Sequence, residues 1–571
     1  MPGRRPCSVW TQNYDPFGAW PLSTLVAALP VLVLLGLLAS GRASAWVAAL
    51  AGLITAAVAA VGVFKMPVEL AAMAATYGVV FALFRIVWLI VAAVFLYDIA
   101  VATGQFEIMK ASIARLSGDR RIQAVLVAFS FGAFIEGAAG FGAPVAISAA
   151  FLVGLGFQPF KAALLCLIAN TAPVAWGAIG TPIRTLAEIT SLDVEAISAT
   201  SGRILPLMSL ILPFWLVRSM VSWRETFAVW PALLVVGGSF AGAQFFWSNF
   251  VGFELVDIVS AVASLLAGVA LMKVWKPKTE WRFDHDDKLY VDPSAMAAVN
   301  AQLTPGRVAR AWMPFVLLSI AVLAWGMPVV KRAIDAHASW KWEVPGLHLK
   351  IYRGPALTGH EMPTDLDREK AVADIVPVAS TGTAVFLAAI LSGALLGLGP
   401  VTLARMLAAT TVRLIPAIVT IICMLALGFV TKSSGMDVVL GLAFTRTNAL
   451  LYPILGTLLG WLGVALTGSD TSSNVLFGNL QKVTATKLGL NPILMASANT
   501  TGGVMGKMID AQSIVVAAAA TGENGREGDL LKAAIGHSLA LALLVGMIVW
   551  TYAHILPQFV AVARPIIETA H

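Results

Sequence analysis

Phe134-Ile135-Glu136-Gly137-Ala138-Ala139-Gly140-Phe141-Gly142-Ala143-Pro144 and Leu466-Thr467-Gly468-Ser469-Asp470-Thr471-Ser472-Ser473-Asn474 are the two stretches on which the reading of this chain turns. Each interrupts an apolar run, 122–156 in the first case and 452–487 in the second, with small, polar and acidic residues. Such a break cannot face lipid, because hydrocarbon offers no partner to a freed backbone group or a carboxylate. It is tolerated where it is buried in protein or lines a wet cavity. Both runs therefore read as discontinuous or re-entrant hairpins rather than plain spans.

The surrounding chain has 571 residues, of which 58% are hydrophobic and 12% charged. That is about half the charge of an average soluble protein, too little to cover a globule in water. Apolar windows of about 20 residues, the length that crosses a hydrocarbon core of roughly 30 Å, fall at 22–40, 43–63, 78–101, 160–182, 203–222, 227–247, 252–272, 308–328, 378–398, 412–430, 491–512 and 533–556. The predicted fold class is an all-α polytopic membrane protein with about twelve transmembrane helices plus the two broken hairpins. The first window is read as a retained span, not a signal peptide. The expected organisation is an extramembrane segment at 1–21, a first membrane half at 22–275, a polar cytoplasmic loop at 276–306 and a helix at 307–328. A polar external loop at 329–376, a second membrane half at 377–556 and a tail at 557–571 follow.

Cys7, Cys166 and Cys423 form neither a disulfide framework nor a metal-ligand spacing. The net charge of +7 is assigned to cytoplasmic loops, since no basic run suits a nucleic-acid arm. An enzyme is disfavoured: His360-Glu361 lacks the second histidine of a zinc motif, and no glycine run contains a nucleophile elbow. No cofactor or metal is expected. Lysines and arginines near span ends place 102–121, 218–226 and 273–282 in the cytoplasm, while the acidic 183–200 and 244–257, which hold Glu188, Glu254 and Asp257, face outward.

The two breaks share a register. Gly104 and Gly435 lie 331 positions apart, as do Gly132 and Gly463; Gly156 and Pro159 match Gly489 and Pro492, and Asn170-Thr171 with Gly177 match Asn499-Thr500 with Gly506. With the topology above, the hairpins open to opposite sides, which predicts an inverted repeat. In transporters built this way the substrate sits near the midplane, where half-helix N-termini meet.

Glu136 reads as the group that binds and releases a coupling proton, or as a cap on a half-helix. Asp470 reads as a second proton site, as the partner of a buried base, or as a purely structural cap. Thr471, Ser472, Ser473 and Asn474 offer hydroxyls and an amide able to replace the hydration shell of a small carboxylate, and Gly140, Phe141 and Gly142 allow close backbone approach. Asn170, Thr171, Asn499 and Thr500 are expected to complete two half-sites or to bond between packed helices. Lys507, in an apolar segment, is expected to pair with Asp470, attract the substrate carboxylate or snorkel. Arg85, mid-way along a hydrophobic stretch, is expected to pair with Asp98 or to line a cavity.

Together with Gln12-Asn13-Tyr14-Asp15-Pro16, Asn170-Thr171-Ala172-Pro173-Val174-Ala175 and Asn499 to Ile509, these motifs resemble the bacterial L-lactate permease family over nearly the whole chain. A departure is Asp510-Ala511, where that family favours Ser-Pro. The resemblance implies a multi-pass protein of the bacterial inner membrane that imports L-lactate, and also D-lactate and glycolate, by proton symport. The residues alone leave a channel, or a carrier of another small organic anion, open. The partners implied are small 2-hydroxy monocarboxylates, a proton and the lipid bilayer, without nucleic acid; a homo-oligomer is compatible with the sequence.

Overall fold

A computed structural model describes residues 10–39, 43–114, 117–138, 143–283, 303–326, 330, 334, 340–355, 367–375, 378, 380–446, 448–523 and 526–562. The described chain is mostly helical. The first part contains α1 (Trp20–Ala39), α2 (Ala45–Gly62), α3 (Val68–Ala102, with a π turn at Ala82–Val87), α4 (Gln105–Ala114), α5 (Arg120–Ala138), α6 (Ala143–Gly154), α7 (Pro159–Ala169), α8 (Gly177–Thr190) and α9 (Val194–Arg218). A linking group follows: α10 (Trp223–Phe227), α11 (Trp230–Phe250) and α12 (Val256–Val274). Then come α13 (Pro305–Gly326), α14 (Thr381–Leu395), α15 (Pro400–Ser434), α16 (Met436–Phe444), α17 (Tyr452–Thr467), α18 (Asp470–Leu488), α19 (Pro492–Gly506), α20 (Ala511–Thr521) and α21 (Glu527–His554). Among the described residues, six helices are long and apolar enough to cross a membrane, and the bent pair α7 and α8 adds a seventh span. The twelve expected crossings thus exceed what helix length and composition alone establish.

The sequence signals account for the helix ends. Asp193 caps α9 by accepting from Glu195 N, and Asn491 caps α19 by accepting from Ile493 N and Leu494 N. Pro159 and Pro492 occupy first turns, where a missing N–H costs nothing. Gly104 and Gly435 turn the chain left-handed (φ 71 and 83) after α3 and α15, both 35 residues long. Gly156 and Gly489 do the same (φ 95 and 70) after α6 and α18.

Three expectations are corrected. The window 160–182 is not one plain span: α7 stops at Asn170, a short 3-10 turn covers Val174–Trp176, and α8 leaves at 65°. Pro173 lacks the N–H that would continue α7, and Ala178, Ile179 and Gly180 are left-handed in succession (φ 45, 58 and 74). The window 491–512 likewise ends at Gly506, with Lys507 to Asp510 separating α19 from α20. The chain is also not purely helical, because the 329–376 segment forms strands. β1 (Trp10–Thr11) pairs in parallel with β3 (Ile351–Tyr352), and β2 (Trp340–Glu343) pairs antiparallel with β4 (Val372–Ile375). The buried amide of Gln12 fastens this layer to the end of α15 by donating to Ser433 O at 2.9 Å.

The element order of α1–α9 recurs in α13–α21, and the packing is reciprocal. α2 lies on α15 as α14 lies on α3; α1 lies on α16 as α13 lies on α4. α8 meets α18 as α20 meets α6, and α9 meets α19 as α21 meets α7. The basic segments gather at one end, where Arg121, buried with Asp119, donates to Glu225 O and Thr279 O, and Arg120 N reaches Trp281 O. At the other end of α9, α11 and α12, Arg184 pairs with Glu254 at 3.2 Å.

The tightest packing joins α17 to α19. A Cβ on Gly460 would collide with the Asn499 carbonyl, one on Gly502 with the Thr457 carbonyl, and one on Gly506 with the Trp461 carbonyl. Small residues of this kind let two helix backbones touch. Gly502→Ala should therefore lower the thermal unfolding midpoint in detergent, the overpacking being worth about 1–3 kcal/mol. Gly242→Ala, in α11 with nothing within 4 Å of its added Cβ, should leave it unchanged or raise it; equal effects would contradict the crossing.

Candidate functional site

The second break is short. α17 ends at Thr467, Gly468 turns left-handed (φ 73), and Ser469 Oγ caps α18 by accepting from Ser472 N at 3.3 Å. Asp470, Thr471 and Ser472, the first turn of α18, line a cavity of about 360 Å³. From the first half, Glu136 near the end of α5 and the start of α8, with Gly177, Ala178, Thr181 and Pro182, line the same cavity; Arg413, Pro416 and Thr420 of α15, Trp46 of α2 and Lys507 line it too. Two half-helices thus begin at one space, and helix N-termini favour an anion there.

The two carboxylates are nearly buried, Glu136 at 5% and Asp470 at 3% exposure. Asp470 Oδ2 accepts from Thr500 Oγ1 and from Asn474 Nδ2 at 3.4 Å. Its Oδ1, and Oε2 of Glu136, have no hydrogen-bond partner among the described residues. A glycine lies against Glu136: a Cβ on Gly177 would come 2.7 Å from Oε1. Lys507 donates to Gly468 O at 2.7 Å and pairs with Asp510 Oδ2 at 3.3 Å. Its ion-pair partner is therefore Asp510, whose Oδ1 also caps α20 by accepting from Ser513 N at 2.7 Å.

The remaining expected residues form a layer behind the cavity. Ser473 Oγ donates to Gly460 O, Asn499 Nδ2 to Asn474 Oδ1 at 2.9 Å, and Asn474 Nδ2 to Thr500 Oγ1 and to Pro182 O, both at 3.2 Å. The last bond ties the second hairpin to the broken span of the first half. Asn170 is 2% exposed and its amide makes no hydrogen bond among the described residues, while Thr171 turns back to Ile168 O. Gly140, Phe141 and Gly142 lie outside the described residues. Asp98 takes Arg413 of α15 as its partner at 2.6 Å; the Arg85 side chain lies outside the described residues.

The sequence reading missed Asp510 as the partner of Lys507, and Asp257. The latter was taken as an outward-facing acid, yet it is 1% exposed and packs beside Gly137. An acid at the second position of a helix looks like an ordinary helix-start charge, so the sequence carried no signal of its burial.

Residues 23–556 match the family model described as L-lactate permease. The chain is 44% identical over 556 residues to the glycolate permease GlcA of Escherichia coli K12, covering 96% of this chain and 98% of that one. It is 44% identical to the L-lactate permease of Bacillus subtilis and 42% identical to that of Escherichia coli K12, covering 96% of this chain and 99% of each. Among solved structures it is similar to Neisseria gonorrhoeae MtrF at 13% identity, with a TM-score of 0.41, over 83% of this chain and 82% of that one. With a family match spanning both breaks and relatives aligned almost end to end, the chain belongs to the L-lactate permease family, multi-pass membrane transport proteins and not enzymes.

Proposed function

We propose that this protein imports L-lactate and related 2-hydroxy monocarboxylates, D-lactate and glycolate among them, together with a proton across the bacterial inner membrane. The observation that carries this reading is the cavity's balance of charge. Lys507 and Arg413 stand against Glu136 and Asp470 on the cavity, but Lys507 is paired with Asp510 and Arg413 with Asp98, so acids exceed bases there. A monocarboxylate anion adds another negative charge, and two like charges 4 Å apart repel by about 4 kcal/mol at an effective dielectric constant of 20. A proton taken up by Glu136 or Asp470 removes that repulsion, so anion and proton bind best together. Relatives named for glycolate and for L-lactate, at equal identity to this chain, support a site that accepts the shared 2-hydroxy carboxylate.

In this reading the N-termini of α8 and α18 and the Lys507 ammonium hold the carboxylate, and Thr471 and Ser472 bond the 2-hydroxyl. Ser473, Asn474, Asn499 and Thr500 fix the position of Asp470, and Asn170 and Thr171 support Glu136. The two halves form an inverted repeat: with about twelve crossings and both hairpins returning to their side of entry, α3 and α15 run in opposite directions. The reciprocal packing of the halves supports this. The gathering of the basic segments at one end supports a cytoplasmic assignment for that end.

Labelled lactate uptake in vesicles should be driven by an inward proton gradient and abolished by a protonophore, because lactate entering with one proton is electroneutral. Entry of the anion alone works against roughly 2.3 kcal/mol per charge per 100 mV. Uptake that required sodium and ignored pH would contradict the proposal.

Single cysteines at Ser191 and Val251, in a cysteine-free background, should react with an impermeant thiol reagent from outside, and ones at Lys276 and Thr279 should not. The opposite pattern would reverse the orientation.

Glu136→Gln keeps the shape and much of the bonding of the side chain but cannot titrate. In liposomes it should lose gradient-driven accumulation while retaining lactate counterflow. Loss of both activities in a folded variant would assign Glu136 a structural role, and unimpaired driven uptake would move the proton to Asp470.

A further inference from the structure

Asp257 is the second residue of α12, a position where an aspartate ordinarily meets free backbone N–H groups or water. Here it meets neither. It is 1% exposed, and both side-chain oxygens lack a hydrogen-bond partner among the described residues. An ionised carboxylate so placed is costly unless something pairs with it or protonates it.

Its neighbour across the helix interface is the Glu136 turn. α12 packs on α5 at Gly137, where a Cβ would stand 2.8 Å from Asp257 Cβ and 3.1 Å from Ile258 N. Glu136 precedes Gly137 on that turn, and its Oε2 also lacks a partner among the described residues. α12 also packs on α11, which carries no ionisable residue, and on α8, which carries Arg184 and Glu188. Arg184 is engaged with Glu254 and lies over the Phe253 ring. Arg120 and Arg121, the other charges of α5, stand at its opposite end.

We propose that Asp257 is a second proton-carrying group that shares the coupling proton with Glu136, lying on the external side of the cavity carboxylate. The proposal deepens the proton-coupled reading above and rests on it. Asp257 does not line the cavity, whereas Glu136 does. Asp257 also follows, by three residues, the Glu254 that meets Arg184 at the end assigned to the outside. In the transfer, an O–H bond of one carboxyl breaks as an O–H bond of the other forms, and the pair keeps one proton and one negative charge throughout. Carboxyls that share one proton titrate as a pair. Substrate and proton then reach Glu136 from different sides, so a bound anion does not obstruct the proton. The absence of a side chain at Gly137 permits the approach.

The test uses the full-length protein in liposomes, measuring lactate counterflow and proton-driven uptake across a range of pH. Asp257→Asn should retain counterflow, and the midpoint of its pH profile for driven uptake should move by about one unit or more, since it removes one member of a coupled pair. Asp257→Glu should restore driven uptake with a profile nearer to wild type. Glu254→Gln, at a half-buried neighbour paired with Arg184 and outside the carboxyl pair, should leave the profile unmoved. An unshifted profile in Asp257→Asn would overturn the proposal. So would loss of counterflow together with driven uptake in a folded Asp257→Asn that Asp257→Glu does not rescue. Should Asp257→Asn fail to fold, Asp257→Ser, smaller and equally unable to hold the proton, takes its place, and an unshifted profile there overturns the shared proton. A wild-type protein indifferent to the pH gradient would instead refute proton coupling itself, before Asp257 is considered.

Discussion

The backbone contact between α17 and α19 sets the position of everything polar in the second half. Because Gly460, Gly502 and Gly506 admit the opposing carbonyls, α19 lies close enough to the hairpin for Thr500 and Asn499 to reach its second arm. Thr500 then bonds Asp470, Asn499 bonds Asn474, and Asn474 extends to Pro182 O in the first half. A wider crossing would leave Asp470 without its donors, and the cavity without one wall. Gln481 continues the chain of bonds, donating to Gly456 O at 2.7 Å and accepting from Tyr452 at 2.8 Å. Buried polar groups are stable when each has its partners, and this layer nearly meets that condition.

The cavity side does not meet it. Oxygens of Glu136 and Asp470 lack hydrogen bonds among the described residues, as do both ends of the Asn170 amide and, away from the cavity, both oxygens of Asp257. Here the backbone is strained as well: Ala178 and Ile179 are left-handed, a conformation that costs roughly 1–2 kcal/mol per residue with a side chain. The surrounding core holds them there, since Ile179 and Trp176 are fully buried and the Trp176 indole donates to Ser198 Oγ at 3.0 Å. Strain and unmet polar groups collected at one place mark a site made for ligands rather than for stability. The contrast separates the cavity residues from the bonded layer behind them.

Charge divides the molecule along its other axis. Arg121 and Asp119 are buried together and knit three basic segments at one end, while Gln12 and the short strands knit the N-terminal segment to the 340–375 region at the other. Between these two ends, the ionisable groups near the cavity are chiefly carboxylates, with Lys507 held by Asp510 and Gly468 O. Lys507 and Arg413, the two bases on the cavity, are each already paired with an acid, and the proposed balance of charge by protons and a transported anion rests on the acids left over.

Composition, window length and the two polar breaks were enough to read a multi-pass helical protein, because lipid leaves so few options for a chain this apolar. Gly104, Gly435, Gly156 and Gly489 were legible as paired turns, since left-handed backbone selects glycine. Glu136, Asp470, Thr471, Ser472 and Lys507 were legible as well, because charge and clustered hydroxyls in an apolar run must face something other than lipid. The tertiary structure alone decided which polar residues face the cavity and which face each other: Asn474 and Ser472 look alike in sequence, but helix rotation turns one into the bonded layer and the other to the space. It decided the partner of Lys507, since three buried acids, Glu136, Asp470 and Asp510, compete for one ammonium and only distance chooses among them. It bent the 160–182 span, where Pro173 gave a hint but the run Ala178-Ile179-Gly180 shows no preference for a left-handed path. And it buried Asp257, whose fate rests on Gly137 of another helix, a contact between residues 120 positions apart that no local pattern encodes.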